Sequence, residues 1–531
     1  MIEKYYSGVI EQIYNRIGKE TRNIVMANYS NDFSIENLEV IRRYQSNEDN
    51  VFFAYSEFSY NTLVGAYEPF LDIICNMHRR FIGGSFDDFQ KECGVYYLHR
   101  QVLNSYYETG ECFREETVLL NEVAYEQRRM TMAIADMLKK LSEVKPLMIV
   151  INRFQMASKS SIETIKYLID NPCANIGIVL GVNAIVKGTD STVEVWDRIV
   201  ESLEDRSAIY YIGSAGPLKN NVKTTNDDEL YITMNFEQSI QEASNIMEFL
   251  DFEQARRGCR IIEHKLKFED AWIDEKSLRH FDMVYARTSV LLGEMSKAIE
   301  LTNEYKALIP ENDSEHYLSL YYFMKGTCYM YQGKLEKAGN SAKSAYDYAV
   351  LAEDDTLIFK AELLSVMIKM SGWYNIFFCV QDIPVSDEII EKLIKHGYRN
   401  HLAHIYIYAY DNSRDVVKQS FYDESLLKHF TKGLELAKEI GNEQLVYDAY
   451  QKTIMLASTS GLNEIAFLYV IRTYEFMKGH GNIYVARVLT SIGYNLSAMG
   501  KNELVDNYYN AAINMLYYLK MPEDIAEVYY N

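Results

Sequence analysis

Two hydrophobic rhythms divide the chain. Over the first 215 residues, short unbroken apolar runs sit at 23–27 (NIVMA), 51–55 (VFFAY), 147–151 (LMIVI), 176–182 (IGIVLGV) and 208–212 (AIYYI). Stretches of helical period separate them. Ile2, Tyr5, Val9, Ile13 and Ile17 recur at helical spacing across 2–19, and the same period predicts helices over 34–45, 66–81, 86–107, 115–142, 160–170 and 192–204. Short apolar runs alternating with helices suit strands buried on both faces, so this segment predicts a parallel sheet covered by helices on each side.

From about residue 237 the strand signals fade, and a helix-pair repeat of roughly 34 residues takes over. In YYFMKGTCYMYQGKLEKAGNSAKSAYDYA, Gly326 and Tyr329 fall on the first helix, Gly333 in the turn, and Ala338 and Ala345 on the second. A second copy carries Gly493, Gly500 and Ala512; a third carries Ala286, Gly293, Ala298 and Pro310. Weaker copies surround Ala243 with Ala255, Gly372 with Trp373, Ala437 with Gly441, and Gly461 with Ala466. Small residues at these places let two helices cross closely, where larger side chains would hold them apart. The pattern resembles tetratricopeptide repeats. It predicts about seven helix pairs over 237–531, enough for an all-α superhelical solenoid with a concave groove. The stretch 380–424 breaks the period and reads as an irregular repeat. The polar run GSAGPLKNNVKTTNDDE marks 216–236 as a linker between this solenoid and an α/β domain at 1–215. The final IAEVYYN reads either as a capping helix or as the first half of another pair.

Composition narrows the class of protein. At 531 residues the chain exceeds one hydrophobic core. Apolar residues at 48% and charged residues at 24% describe an ordinary globular protein, and the longest apolar runs fall far short of a membrane span. No secretory signal opens the sequence. The seven cysteines are scattered without C-x-x-C spacing, which predicts reduced thiols and a cytoplasmic location. A net charge of −21 argues against wide contact with a phosphate backbone and favours a partner with a basic surface. Seven prolines against 44 tyrosines favour long helices with large amphipathic side chains to pack them.

The candidate chemistry lies in PLMIVINRFQMASKSS, 146–161. Together with Tyr67-Glu68-Pro69-Phe70, and with Met156-Ala157-Ser158-Lys159-Ser160-Ser161 before a helix, the order of elements over the first 215 residues resembles a particular family. It is the ATPase domain of the signal-transduction ATPases with numerous domains, the AAA-related group that includes the maltose-regulator-like activators. The resemblance implies a P-loop-NTPase-like α/β fold, with a Gly-rich phosphate loop after the first strand and an acidic pair after LMIVI. Neither is intact. The loop position reads Asn28-Tyr29-Ser30-Asn31-Asp32-Phe33-Ser34-Ile35-Glu36, without a glycine or a lysine, and the acidic pair is replaced by Asn152 and Arg153. Glycines let backbone N–H groups close around phosphates, and the lysine and acids neutralise charge and hold magnesium. Losing them together predicts a degenerate frame that hydrolyses nothing. Gly18-Lys19-Glu20-Thr21 precedes the strand and lacks the upstream glycine, so it reads as an accidental match.

Other constellations are weak. His401 and His404 fall one helical turn apart but have no acid or cysteine at matching spacing, so no metal site is predicted. Gly83-Gly84-Ser85 and Gly213-Ser214-Ala215-Gly216 read as loops, and Asp87-Asp88, Asp227-Asp228 and Asp354-Asp355 as solvated turns or helix starts. Tyr321, Tyr322, Tyr329 and Tyr331 serve helix packing or line a groove. The resulting expectation is a regulatory or scaffold protein without catalytic residues, cofactor or metal, whose solenoid grips a protein or peptide, with no direct nucleic-acid or membrane contact. Two alternatives stay open: the core of a transcription regulator whose DNA-binding domain lies outside this sequence, and an ATPase with an unorthodox site.

Overall fold

A computed structural model of the protein describes residues 2–29, 38–46, 50–59, 63–116, 118, 122–183, 193–212, 235–268, 273–374, 387–409, 424–478, 482–518 and 522–530. The chain forms an α/β part built on a parallel sheet, followed by an all-α array of helix pairs. It divides into two compact units, Met1–Asn312 and Asp313–Asn531.

The sheet has five strands: β1 (Ile24–Tyr29), β2 (Phe52–Glu57), β3 (Leu147–Asn152), β4 (Ile176–Asn183) and β5 (Ile209–Ile212). Their order across the sheet is β2-β3-β4-β1-β5, and every pairing is parallel. β3 and β4 are buried along their whole length, which explains their continuous apolar sequences. Side chains alternate between the faces. Val25, Ala27, Tyr29, Met148, Val150 and Val179 share a core with helix α1 (Ile2–Arg16) and α2 (Glu39–Ser46). Met26, Ile149, Ile151, Ile178 and Leu180, of the opposite parity, are buried on the other face.

Several local differences from the periodicity have physical causes. The inward stripe of α1 is Tyr6, Val9, Ile10 and Ile13, whereas Tyr5 is 64% exposed. The region 86–107 forms two helices, α4 (Phe86–Glu92) and α5 (Tyr97–Thr109), after α3 (Phe70–Met77). Gly94 separates them at φ +71°, a left-handed turn that ends a helix at little cost only for glycine. The next helices are α6 (Val123–Val144), α7 (Lys159–Asp170) and α8 (Val193–Glu204). Ser158, just before the predicted Ser160-Ser161 start, caps α7 by accepting from the Ser161 N–H.

The first unit continues into two helix pairs, α9 (Phe236–Glu248) with α10 (Phe252–Phe268), and α11 (Glu275–Leu291) with α12 (Met295–Ala307). The second unit holds α13 (Ser314–Tyr331), α14 (Leu335–Leu351), α15 (Asp355–Tyr374), α16 (Asp387–Lys395), α17 (Arg399–His404), α18 (Glu424–Ile440), α19 (Glu443–Thr459), α20 (Asn463–Met477), α21 (Asn482–Ala498), α22 (Asn502–Tyr518) and α23 (Pro522–Tyr530). Most of the predicted linker lies outside the described residues.

Ala243, Ala255, Ala286, Ala298, Ala338, Ala345, Ala466 and Ala512 are completely buried on α9, α10, α11, α12, α14, α14, α20 and α22 respectively. Tyr329 packs half-buried beside Met330 and Leu364. Gly293, Gly333, Gly461 and Gly500 occupy the turns between paired helices at φ +70° to +77°. Gly326 and Gly493 act by closeness: a Cβ on Gly493 would stand 2.5 Å from the Tyr509 ring. The described part of the irregular stretch 380–424 consists of α16, α17 and a π turn at Ile405–Ala409, packed around Phe359, Leu363, Leu393, Leu402 and Ile405. Within it His401 and His404 are 3% and 2% exposed beside Tyr398 and Tyr408, as core rings.

Candidate functional site

In an open parallel sheet the C-terminal strand ends, where the order reverses, form the natural binding crevice. Here β1 and β3 flank β4, so their ends bring Tyr29, Asn152 and Asn183 to one edge. The sequence places the degenerate phosphate loop from Asn28 onward. The structure corrects its start, because Asn28 and Tyr29 are the last two residues of β1, in register with Val182 and Asn183 of β4. Ser30, Asp32 and Ser34 lie outside the described residues.

Tyr29 fills the edge. Its side chain is fully buried, and its hydroxyl donates to the Oδ1 of Asn152, 2.5 Å away. Tyr6 of α1 meets the Tyr29 ring edge-on at 6.4 Å between centroids. Gly181 of β4 makes the room: a Cβ there would lie 2.5 Å from the Tyr6 hydroxyl and 3.0 Å from Asn152 Oδ1. Burial, followed by the neighbouring Tyr29, Tyr55 and Glu57, raises the Tyr6 phenol well above its ordinary pKa. This tyrosine therefore stays neutral.

Arg153, the residue after Asn152, is also engaged. Arg153 adopts a left-handed backbone at φ +54°, and its guanidinium lies 3.2 Å from the Glu57 carboxylate and donates to the Phe58 carbonyl at 3.3 Å. Tyr55 donates to Glu57 as well. Asn152 and Arg153 thus bind protein groups, and the edge is a phenol–amide–ion-pair lattice. Gln155 completes it by accepting from the Asn183 N–H at 3.3 Å.

A cavity of about 390 Å³ opens elsewhere, between residues 57–59 and 63–72, α5 and α9. Glu57, Glu68, Asp72 and Glu242 line it together with Phe58, Tyr106 and Phe249. The Gly65 N–H donates to Glu68, and the Tyr106 hydroxyl to Asp72 at 3.1 Å. Sequence reading missed this site, because no local spacing connects Glu242 with Glu68.

Polar contacts hold α9 and α10 against the α/β part. Asn245 accepts from the Cys112 N–H and donates to the Gly110 carbonyl; Asp251 accepts from the Ser160 N–H; Lys159 pairs with Glu253 at 2.8 Å. Nearby, Arg114 donates to the Glu248 carbonyl while Arg287 pairs with the Glu248 carboxylate at 2.7 Å. His99, fully buried, sits 2.8 Å from Glu126, which also pairs with Arg129.

Among the described residues no cluster of three or more His, Cys, Asp or Glu is arranged to hold a metal ion, and no helix is long and apolar enough to cross a membrane.

No protein-family model matches the chain, and no curated protein matches it. Among solved structures, the chain is similar to a Signal Transduction ATPase with Numerous Domains protein with a tetratricopeptide repeat sensor from Pyrococcus horikoshii. That match has 12% identity and a TM-score of 0.44, covering 96% of this chain and 88% of the other. A Rap protein complexed with competence and sporulation factor is similar at 14% identity and a TM-score of 0.37, over 55% of this chain and 79% of the other. NprR in complex with its cognate peptide NprX is similar at 13% identity and a TM-score of 0.36, over 56% of this chain and 82% of the other.

Proposed function

We propose that the protein is a non-catalytic regulator or scaffold: a pseudo-ATPase α/β part carrying helical repeats that bind a protein or peptide. One observation carries the pseudo-ATPase reading. The crevice at the ends of β1 and β3 is occupied by the protein's own Tyr29, bonded to the Asn152 that stands where an acid would hold magnesium. Phosphoryl transfer depends on positioning and on neutralising phosphate charge. A buried phenol supplies neither, and the nearby Arg153 cation is already paired with Glu57.

The repeats supply the binding role. Stacked helix pairs present extended surface on a fixed scaffold, and recognition by such surfaces needs no chemistry from the binder. The net charge of −21 favours a basic partner through faster encounter and complementary potential.

Calorimetric titration of the full chain with magnesium-ATP tests the first half. No saturable heat is expected at micromolar nucleotide; a saturable isotherm, or magnesium-dependent hydrolysis lost on changing Asn152, would overturn it. Affinity capture at low and high salt tests the second. The expected partner is a basic protein or peptide, retained without nucleotide and released as salt rises. An acidic partner, or retention that requires ATP, would contradict the reading.

A further inference from the structure

Three carboxylates meet where α9 lies against the α/β part. Glu242 projects from α9 toward Glu68, in the turn before α3, and Asp72, on α3 itself. Gly65 leaves the space: a Cβ there would stand 2.9 Å from Glu242 Oε1 and 3.4 Å from Glu68 Oε2. Among the described residues no ion pair joins any of the three to a Lys, Arg or His. The other groups around this cavity are Glu57, already paired with Arg153, and the Tyr106 phenol, which donates to Asp72; Cys112 lies within reach of the Glu242 charge.

A second acid of the same kind sits two helices on. Asp282 of α11 is 3% exposed, and its Oδ2 has no hydrogen-bond partner among the described residues. Facing it from α12 are Glu304, which opposes its ionisation, and Lys297, which favours it. Lys297 is itself held by Glu263 of α10 and Glu300 of α12, both at 3.2 Å.

Buried like charges cannot both ionise cheaply, and a buried lone carboxylate prefers its proton. We propose that α9–α12 form a proton-linked joint, in which α9 closes on the α/β part while Glu242 is protonated and α11 closes on α12 while Asp282 is protonated, both loosening when these groups ionise. Burial, followed by Glu68 and Asp72, raises the Glu242 carboxyl to about 7. Burial, with Glu304 adding to it, raises Asp282 to about 7 against the pull of Lys297. In an opened joint both groups return toward 4.5 and 3.8. Between those values and about 7 the closed form holds more protons, so closure weakens as pH rises through this window and is weakest above it. The joint thus senses pH from the mildly acidic range up to about neutrality, independently of any nucleotide.

Amide hydrogen exchange of the full chain at about pH 6 and 8, corrected for intrinsic exchange, tests the joint. Protection of α9–α12 is expected to fall at least about tenfold over that interval, the equivalent of one pKa unit, while β3 and β4 keep theirs. Glu242→Gln and Asp282→Asn, which mimic the protonated groups, are each expected to remove part of the fall, and together all of it. A flat wild-type profile overturns the proposal whether or not the variants fold. So does an equal fall in the double variant.

Discussion

The hydroxyl of Tyr29 lies 2.5 Å from the Oδ1 of Asn152, tying the end of β1 to the end of β3 across the intervening β4. The two residues are 123 positions apart in sequence. Gly181, between them on β4, keeps the path clear. Tyr29, the last residue of β1, is part of the core that the sheet shares with α1 and α2.

Removing the phenol oxygen should expose the dependence. Tyr29→Phe leaves Asn152 Oδ1 buried without this donor, and a loss of about 1–3 kcal/mol in unfolding free energy is expected. Tyr29→Ala should cost about 3–5 kcal/mol, because the emptied site cannot fully collapse. Urea denaturation of both variants reads the two values, and neither variant is expected to gain ATP binding.

Two glycines of the repeats should respond oppositely to alanine. On α21 the Cβ of Gly493→Ala would stand 2.5 Å from the Tyr509 ring, and overpacking of this kind costs about 1–3 kcal/mol. On α14 the Cβ of Gly339→Ala meets nothing within 4 Å, so helix propensity should stabilise by up to about 1 kcal/mol. Thermal midpoints measured side by side check the difference in sign.

Acid should weaken the fold through His99. Burial lowers its imidazole from 6.5 to about 4, against the attraction of Glu126. The unfolded chain therefore binds more protons between those values, and stability contributed by neutral His99 is lost as pH falls from 6.5 toward 4. The loss amounts to about 3 kcal/mol at full extent. The difference between wild type and His99→Gln, followed by denaturation across this range, should change by that order.

The first repeat helices should loosen when Asp251 is removed. Its carboxylate accepts from the Ser160 N–H at the start of α7 and from the Gln254 N–H at the start of α10. Asp251→Ala deprives two helix starts at once, and a cost of about 1–2 kcal/mol is expected from the capping loss alone. Faster amide exchange in the first turn of α10, with β3 unchanged, is the expected signature.

Element order, the parallel sheet and the repeat of helix pairs were legible in the chain, because strands buried on both faces and helices with one buried stripe write their periods directly into sequence. So was the absence of glycine and lysine from 28–36 and of an acid at Asn152 and Arg153, which is a matter of residue identity. What these side chains meet was not legible. Tyr29 looked like a loop residue until the ladder with β4 carried β1 through it, and the exposed Tyr5 and buried Tyr6 could be told apart only by the direction α1 faces. The joint of Glu242 with Glu68 and Asp72, the His99–Glu126 pair and the close approach of Gly433 to Ile407 arise between elements distant in sequence. Periodicity says which face of an element is buried; only packing decides which side chain it meets there, as Tyr29 meets Asn152 across β4.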